Sequence, residues 1–533
     1  MAIAAGRGRP AGDAPVRVRW CSACGANNIV TSDYCVRCEA RLMGAAETAR
    51  VIPLGLVVPL LAALGLGLFR LADKSFWLDE ALSVMFADTP ASIWSAVWSV
   101  GEMNMVAYYV LLNVWMTLGD SETVARLLSV AFAVAAVPVV WAIGRRLLEP
   151  VAAGVAALLL AVHPLFIQYA QEARGYSLLV LVAAFSTLLL LRAIERPTRA
   201  RWLLYGVVLG LSAYVHLFAL FVAPAHALWI VLRRWSIGNP RLAMAAIGLS
   251  VAVAAPALSF MALWHAEQIN WLPQAHVEHI TAVLIGMLGG GPSERPHLRD
   301  LALPVGYLAV LAAGIALMLR VHRRRIDQSQ ALLFLFAWVV MPVVLSLAIS
   351  ILVRPLFLDR YLLVALPGLT LVAGAVIARL SVSLRAGAVV AMSLASVLWL
   401  LQGWHHGYEK EDWRSASAYV MAEASPDHAI AFHQPWAAQP LYYYVGQRDQ
   451  WDMIPERVEL PLAPEGAATA PDAGELATAV DGHTTLWLIL SHNIGANGLD
   501  PRVEPLVESL QADLELVARR EFDGNLQVLR FER

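Results

Sequence analysis

Apolar runs of roughly membrane length recur along this chain, and the loops between them sort by charge. The runs lie at about 51–71, 124–143, 151–166, 176–193, 203–215, 217–232, 242–263, 301–320, 331–352, 361–379 and 387–402. Most approach the length a helix needs to cross a hydrocarbon core. In lipid, backbone polar groups must be satisfied inside such a segment, which selects helices. The expected fold is mainly α, a polytopic bundle of about eleven spans. Residues 203–232 read either as one bent span or as a tight helical hairpin around His216. Arginine collects at Arg145-Arg146, Arg192 to Arg201, Arg233-Arg234, Arg320 to Arg325 and Arg379 to Arg385. With eleven spans all five clusters fall on one side, and the positive-inside rule makes that side cytoplasmic. The N-terminus is then cytoplasmic. The Asp79-Glu80 loop, the 264–300 loop and the C-terminal part are extracytoplasmic, on a plasma membrane. Composition agrees: 59% of 533 residues are hydrophobic and 15% charged, against about half and a quarter in soluble chains. A net charge of −2 gives no ground for nucleic-acid binding.

The ends differ from the middle. Residues 1–20 form a basic arm with Arg7, Arg9, Arg17 and Arg19. Residues 21–42 carry all four cysteines, Cys21, Cys24, Cys35 and Cys38, as two Cys-x-x-Cys knuckles. That spacing suits a tetrahedral structural zinc site, a zinc ribbon. Two disulfides are the alternative, disfavoured in a reducing cytoplasm. The module either docks a cytoplasmic partner or steadies the N-terminus. No secretory signal is visible, since the cysteine-rich arm precedes the first span. From residue 403 to 533 the chain changes again. The charged run Glu409-Lys410-Glu411-Asp412-Trp413-Arg414 leads into a helical pattern and short strand-like runs. This reads as a small extracytoplasmic α/β domain. It shows no catalytic motif and is expected to be a folded cap.

Between these ends lies the membrane part, 51–402, whose polar residues gather on one face. Trp77-Leu78-Asp79-Glu80 follows the first run, where adjacent carboxylates are costly unless solvated, paired or useful. The first outer loop, 73–123, is long for a connection. It carries Trp94, Trp98, Tyr108, Tyr109 and Trp115 at helical spacing, which suits interfacial helices. Between these helices lies Glu102. A second outer turn holds His163-Pro164, Tyr169, Gln171-Glu172-Ala173-Arg174 and Tyr176. A third holds Arg354-Pro355 and Asp359-Arg360-Tyr361.

In this arrangement the chain resembles the GT-C superfamily of membrane glycosyltransferases. It is most similar to the family-39 group of protein O-mannosyltransferases and lipid A aminoarabinose transferases. The residues that carry the likeness are Trp77-Leu78-Asp79-Glu80, Arg126-Leu127-Leu128-Ser129, His163-Pro164, Gln171-Glu172-Ala173-Arg174-Gly175-Tyr176 and Arg360-Tyr361-Leu362. It covers about 50–410. Many relatives have an acidic residue or His, then Pro-Pro and a Tyr pair, late in the first loop. Here Glu102 to Tyr109 contains no proline.

The resemblance implies a polyprenyl-phosphate-sugar donor, an extracytoplasmic glycan, lipid or protein acceptor, and inversion at the anomeric carbon. Asp79 would be the base, with Glu80 orienting it or binding acceptor hydroxyls, and Glu102 a further catalytic carboxylate. Guanidinium suits phosphate, so Arg174, Arg360, Arg354 and Arg126 are donor-phosphate candidates. Tyr169, Glu172 and Tyr176 are substrate-binding candidates. A monophosphate donor admits a catalytic divalent metal without requiring one. Plainer roles compete. Arg126 could anchor a helix end by snorkelling, Glu172 could simply pair with Arg174, and His216 and His226 read as core histidines. His265, His276 and His279 read as solvated loop residues, and Trp404-His405-His406 as an interface belt. A transporter or flippase, or a non-catalytic scaffold, are rival classes. Transporters usually set charges at the midplane in two similar halves, and no internal repeat is evident.

Overall fold

The computed structural model describes residues 18–20, 27–29, 54–237, 239–263, 274–290, 298–322, 326–403, 410–461, 476, 478–491, 494–495 and 498–533. Strands β1 (Val18–Trp20) and β2 (Asn27–Ile29) pair antiparallel, with Trp20 opposite Asn27. The four cysteines lie outside the described residues.

The membrane part is built of helices α1 (Leu54–Leu68), α2 (Leu78–Ala87), α3 (Pro90–Ser95), α4 (Val106–Trp115), α5 (Glu122–Leu147), α6 (Pro150–Ala161), α7 (Pro164–Ala170), α8 (Tyr176–Glu195), α9 (Arg199–Val215), α10 (Ala223–Leu232), α11 (Pro240–Leu263), α12 (Val277–Met287), α13 (Ala302–His322), α14 (Ile326–Leu352), α15 (Leu366–Ile377) and α16 (Val382–Gln402). A helix lies at each of the eleven apolar runs. Among the described residues, seven helices are long and apolar enough to cross a membrane, or eight if α6 and α7 count as one bent span. The others are shorter, α1 with 15 residues among them. Helix α6 turns into α7 through 56° at His163-Pro164, where proline opens a new helix because it needs no N–H partner there. The 203–232 ambiguity resolves as a hairpin. Helix α9 stops at His216, whose backbone is extended (φ −171°, ψ 132°), and a 3-10 turn, Leu217–Val222, leads into α10.

The arginine clusters meet one another at one end of the bundle. Arg146 pairs with Glu195 at 3.3 Å, Arg233 with Asp327 at 2.5 Å, and Arg379 donates to Gln328 at 3.2 Å. The polar loops meet at the opposite end. Helix α5 shows the polarity, running from Glu122 at the loop end to Arg145-Arg146 at the arginine end. Close helix contact is made possible by small residues. A Cβ at Gly374 would sit 2.3 Å from the Ala152 carbonyl oxygen, so α15 and α6 touch only because glycine stands there.

The C-terminal part holds α17 (Trp413–Glu423), β3 (Ala429–Phe432), α18 (Ala438–Gln447), β4 (Glu456–Arg457), β5 (Thr485–Leu490), β6 (Ile494–Gly495), β7 (Gly498–Leu499), α19 (Val503–Asp513), β8 (Glu515–Phe522) and β9 (Leu526–Glu532). Its main sheet runs β4-β3-β5-β9-β8. Strand β3 is parallel to β4 and β5, and β9 is antiparallel to β5 and β8. The α/β expectation holds. This domain rests on the loop end of the bundle. Tyr444 accepts the Phe76 N–H at 2.7 Å and donates to Glu122, and Arg414 pairs with the same Glu122. Ser75 donates to the Glu411 carbonyl at 2.6 Å, and the Phe76 and Tyr443 rings are 4.9 Å apart.

Candidate active site

The site begins with the turn into α2. Trp77 is the extended N-cap residue, so Asp79 and Glu80 fall in the first helical turn, where the helix dipole favours anions. Consecutive helical residues point about 100° apart. The two carboxylates therefore face different surroundings.

Glu80 points inward and is fully buried. It accepts Arg126 Nε at 2.7 Å on Oε1 and Arg126 Nη2 at 2.8 Å on Oε2. It also accepts Lys410 Nζ at 2.8 Å and the Ala173 N–H at 2.9 Å. Burial alone would raise its pKa; Arg126 and Lys410 outweigh that and hold it at about 2. Arg126 is equally occupied. Beyond Glu80 it donates to the carbonyls of Leu71 (2.9 Å), Lys74 (2.7 Å) and Ser75 (3.0 Å). These bonds take up the donors of the guanidinium. The expectation that Arg126 binds donor phosphate is therefore corrected: it is a buried organiser of the loop. Glu80 likewise orients its surroundings and does not reach an acceptor.

Asp79 points away from that network and is 22% exposed. Arg174 Nη2 stands 3.5 Å and Arg360 Nη1 3.8 Å from the same oxygen, Oδ2. Arg174 also donates to the Asp79 carbonyl and to Ser83 Oγ, both at 3.3 Å. Its Nε–H is buried and makes no hydrogen bond among the described residues. Arg360 lies in a 3-10 turn, Asp359–Ala365, that carries α14 into α15. The Asp359 carboxylate accepts the Arg360 N–H at 2.7 Å and fixes that turn.

Aromatic rings wall the two arginines. Arg174 lies 5.9 Å from the Tyr176 ring centroid and Arg360 5.6 Å from that of Tyr361. Tyr169 packs on Tyr176 at 4.8 Å, and Tyr361 stacks on Phe218 at 4.5 Å. His216 joins this wall 5.3 Å from Tyr361, with Asn104 3.3 Å from its Nε2. It is a bonded histidine, and it borders the cleft.

Glu102 enters from the first outer loop. A rare π-helical turn, Ala96–Val100, ends at Gly101 with φ 83°, a left-handed conformation that suits glycine. The chain then turns inward, and Tyr109 donates to Glu102 at 3.4 Å. Burial raises the Glu102 pKa; the Arg174 charge counters this and the Asp79 charge adds to it.

Other candidates fall elsewhere. Arg354 makes no ion pair among the described residues, and Asp79 is met by Arg174 and Arg360. Glu172 is fully buried, its carboxylate 3.6 Å from Lys410 Nζ. His163 is buried beside Tyr307 at the α6–α7 bend, ring centroids 5.6 Å apart. His279 is half-buried and bonds the Phe357 carbonyl at 2.6 Å; it is not a solvated loop residue. Among the described residues no group of three or more His, Cys, Asp or Glu could hold a metal ion. Sequence reasoning missed Lys410, Ser83 and Tyr109. Lysine occurs only at 74 and 410 in a chain whose other cations are arginine, a signal that could have exposed Lys410.

Comparison with solved structures supplies the fold. The ArnT structure from Cupriavidus metallidurans bound to undecaprenyl phosphate superposes with a TM-score of 0.57 at 12% identity, covering 89% of this chain and 97% of that one. The chain has the fold of ArnT. The apo ArnT structure gives 0.57 at 13% identity, covering 91% and 98%. The Archaeoglobus fulgidus oligosaccharyltransferase, tethered to an acceptor peptide containing the NVT sequon, gives 0.51 at 12%, covering 81% and 68%. Residues 104–260 match the model of the dolichyl-phosphate-mannose-protein mannosyltransferase family. No curated protein matches the chain by sequence. The matched segment carries Tyr109, Arg126, Arg174, Tyr176 and His216.

Proposed function

We propose that this protein is an integral membrane glycosyltransferase that moves a sugar from a polyprenyl-phosphate-sugar to an extracytoplasmic acceptor. The acceptor is a cell-envelope glycan, lipid or protein. One observation carries the reading: the carboxylate of Asp79 faces two arginines that converge on a single oxygen. A phosphate bound between the two guanidinium groups would accept N–H donors such as Arg174 Nε. Fold-level analogy supports the class of donor, since the ArnT relative was solved with undecaprenyl phosphate.

The chemistry then follows. Asp79 takes the proton of the acceptor hydroxyl as its oxygen attacks the anomeric carbon. The bond from that carbon to the phosphate oxygen breaks, and its electron pair leaves with the phosphate. Arg174 and Arg360 stabilise the charge that grows there. One displacement inverts the centre. Tyr361, half-buried, offers a flat face to a sugar ring, while Tyr176 and Tyr169 are buried. Transfer of radiolabelled sugar from polyprenyl-phosphate-sugar in proteoliposomes tests this; a protein that moves the lipid across the bilayer without transferring sugar would be a flippase.

Two further parts of the reading rest on sequence. The arginine-rich end faces the cytoplasm of a plasma membrane, which puts the cleft outside. The four cysteines hold a structural zinc, a reading that rests on their two Cys-x-x-Cys knuckles.

A further inference from the structure

Lys410 bridges two buried carboxylates, Glu80 and Glu172. It follows the last membrane helix and precedes the C-terminal domain, 330 positions from Glu80. Its side chain is 6% exposed. Nζ lies 2.8 Å from Glu80 Oε2 and 3.6 Å from Glu172 Oε1, and 6.0 Å from the centroid of the Trp77 ring. Each carboxylate it meets belongs to a segment that carries cleft chemistry. Glu80 adjoins Asp79, and Glu172 is two residues before Arg174. Glu80 in turn accepts the Ala173 N–H.

Lys410 and Arg126 both face Glu80, and Lys410 also faces Glu172. Arg126 already covers Glu80 at two points. A compact ammonium fits the remaining gap between the carboxylates, where a planar fork would not. Removing it takes a buried cation from between two buried carboxylates, a loss whose cost is severe. Relief requires the α2 turn and the 171–175 turn to separate, and that carries Asp79 away from Arg174.

We infer that Lys410 is a positioning residue that makes alignment of Asp79 with Arg174 conditional on docking of the C-terminal domain. The domain is then a working part of the site and not a lid over it. This rests on the transferase reading for its activity readout, so the test includes one that does not. In Lys410→Met, transfer should fall about 10²-fold, with the KM for polyprenyl-phosphate-sugar within about threefold of wild type. Hydrogen exchange at the Ala173 amide, slow in wild type, should become fast. Lys410→Met combined with Glu172→Gln removes one buried carboxylate along with the ammonium and should recover most of the lost transfer and protection. Wild-type transfer and exchange in Lys410→Met overturn the inference. A double variant as impaired as the single one overturns it too, because lost packing and not charge would then be the cause. If the wild-type protein transfers no sugar, the exchange measurements still decide the positioning role.

Discussion

Arg126 meets Glu80 at two points, 2.7 and 2.8 Å, and neither side chain reaches solvent. Breaking such a pair leaves an uncompensated charge in the interior. Arg126→Met or Glu80→Gln should each cost about 3–5 kcal/mol of stability. The double variant should cost less than the sum of the two. Thermal unfolding in detergent checks this; near-wild-type stability in both single variants would show that the pair is solvated in the real membrane.

The same glutamate gives a pH signature. Its pKa falls from 4.5 to about 2 in the folded protein. A depressed carboxylate pKa contributes stability that is complete above about 4.5 and is lost as pH falls toward 2. Acidification over that window should therefore destabilise the wild type more than Glu80→Gln. Equal slopes for the two proteins would remove Glu80 as the source.

Asp79→Asn keeps the shape of the side chain and removes the proton acceptor. Turnover should fall by about 10²–10⁴-fold while donor binding changes little. Activity within about threefold of wild type would move the base to Glu102, whose raised pKa suits it to accept a proton nearer neutrality.

Arg174→Ala should weaken donor binding and slow transfer, and Arg174→Lys should recover only part, because a point charge lacks the planar fork. Arg360→Ala should act in the same direction. If both arginines hold one phosphate, the double variant departs from additivity. Binding of polyprenyl phosphate to the purified variants measures this. Unchanged affinity in Arg174→Ala would limit that arginine to holding Asp79.

Cys21→Ser or Cys35→Ser should release one equivalent of zinc and unfold the N-terminal module, since such a site supplies its own folding energy. Transferase activity should survive. Protein purified under reducing conditions without zinc would end the ribbon reading.

Much of the architecture is legible in the sequence because lipid leaves so few choices. The run read at 176–193 is α8, Tyr176–Glu195, and that at 242–263 is α11, Pro240–Leu263. Bends were harder. Pro164 marks the break after α6, but a 56° change of direction comes from how α7 packs, which no window of residues contains. The cleft was legible only in part. Asp79, Arg174 and Arg360 could be named from residue type and from their place at helix exits. The division of labour between Asp79 and Glu80 could not, because it depends on which face of α2 is buried. Arg126 misled for the same reason, since its partners are carbonyls and a carboxylate from another loop. Lys410 was hidden inside Glu409 to Arg414, a stretch that reads as solvated charge.

The scarcity of lysine gives the molecule a built-in reporter. An endoproteinase specific for lysine has two places to cut, after Lys74 and after Lys410. Both lie where the bundle meets the C-terminal domain, for Lys74 bonds the Gly403 carbonyl at 3.3 Å. A seated domain hides the Lys410 peptide bond, and a lifted one exposes it. The rate at which that single scission appears on a gel therefore reads how often the two halves part, without label, substrate or assay.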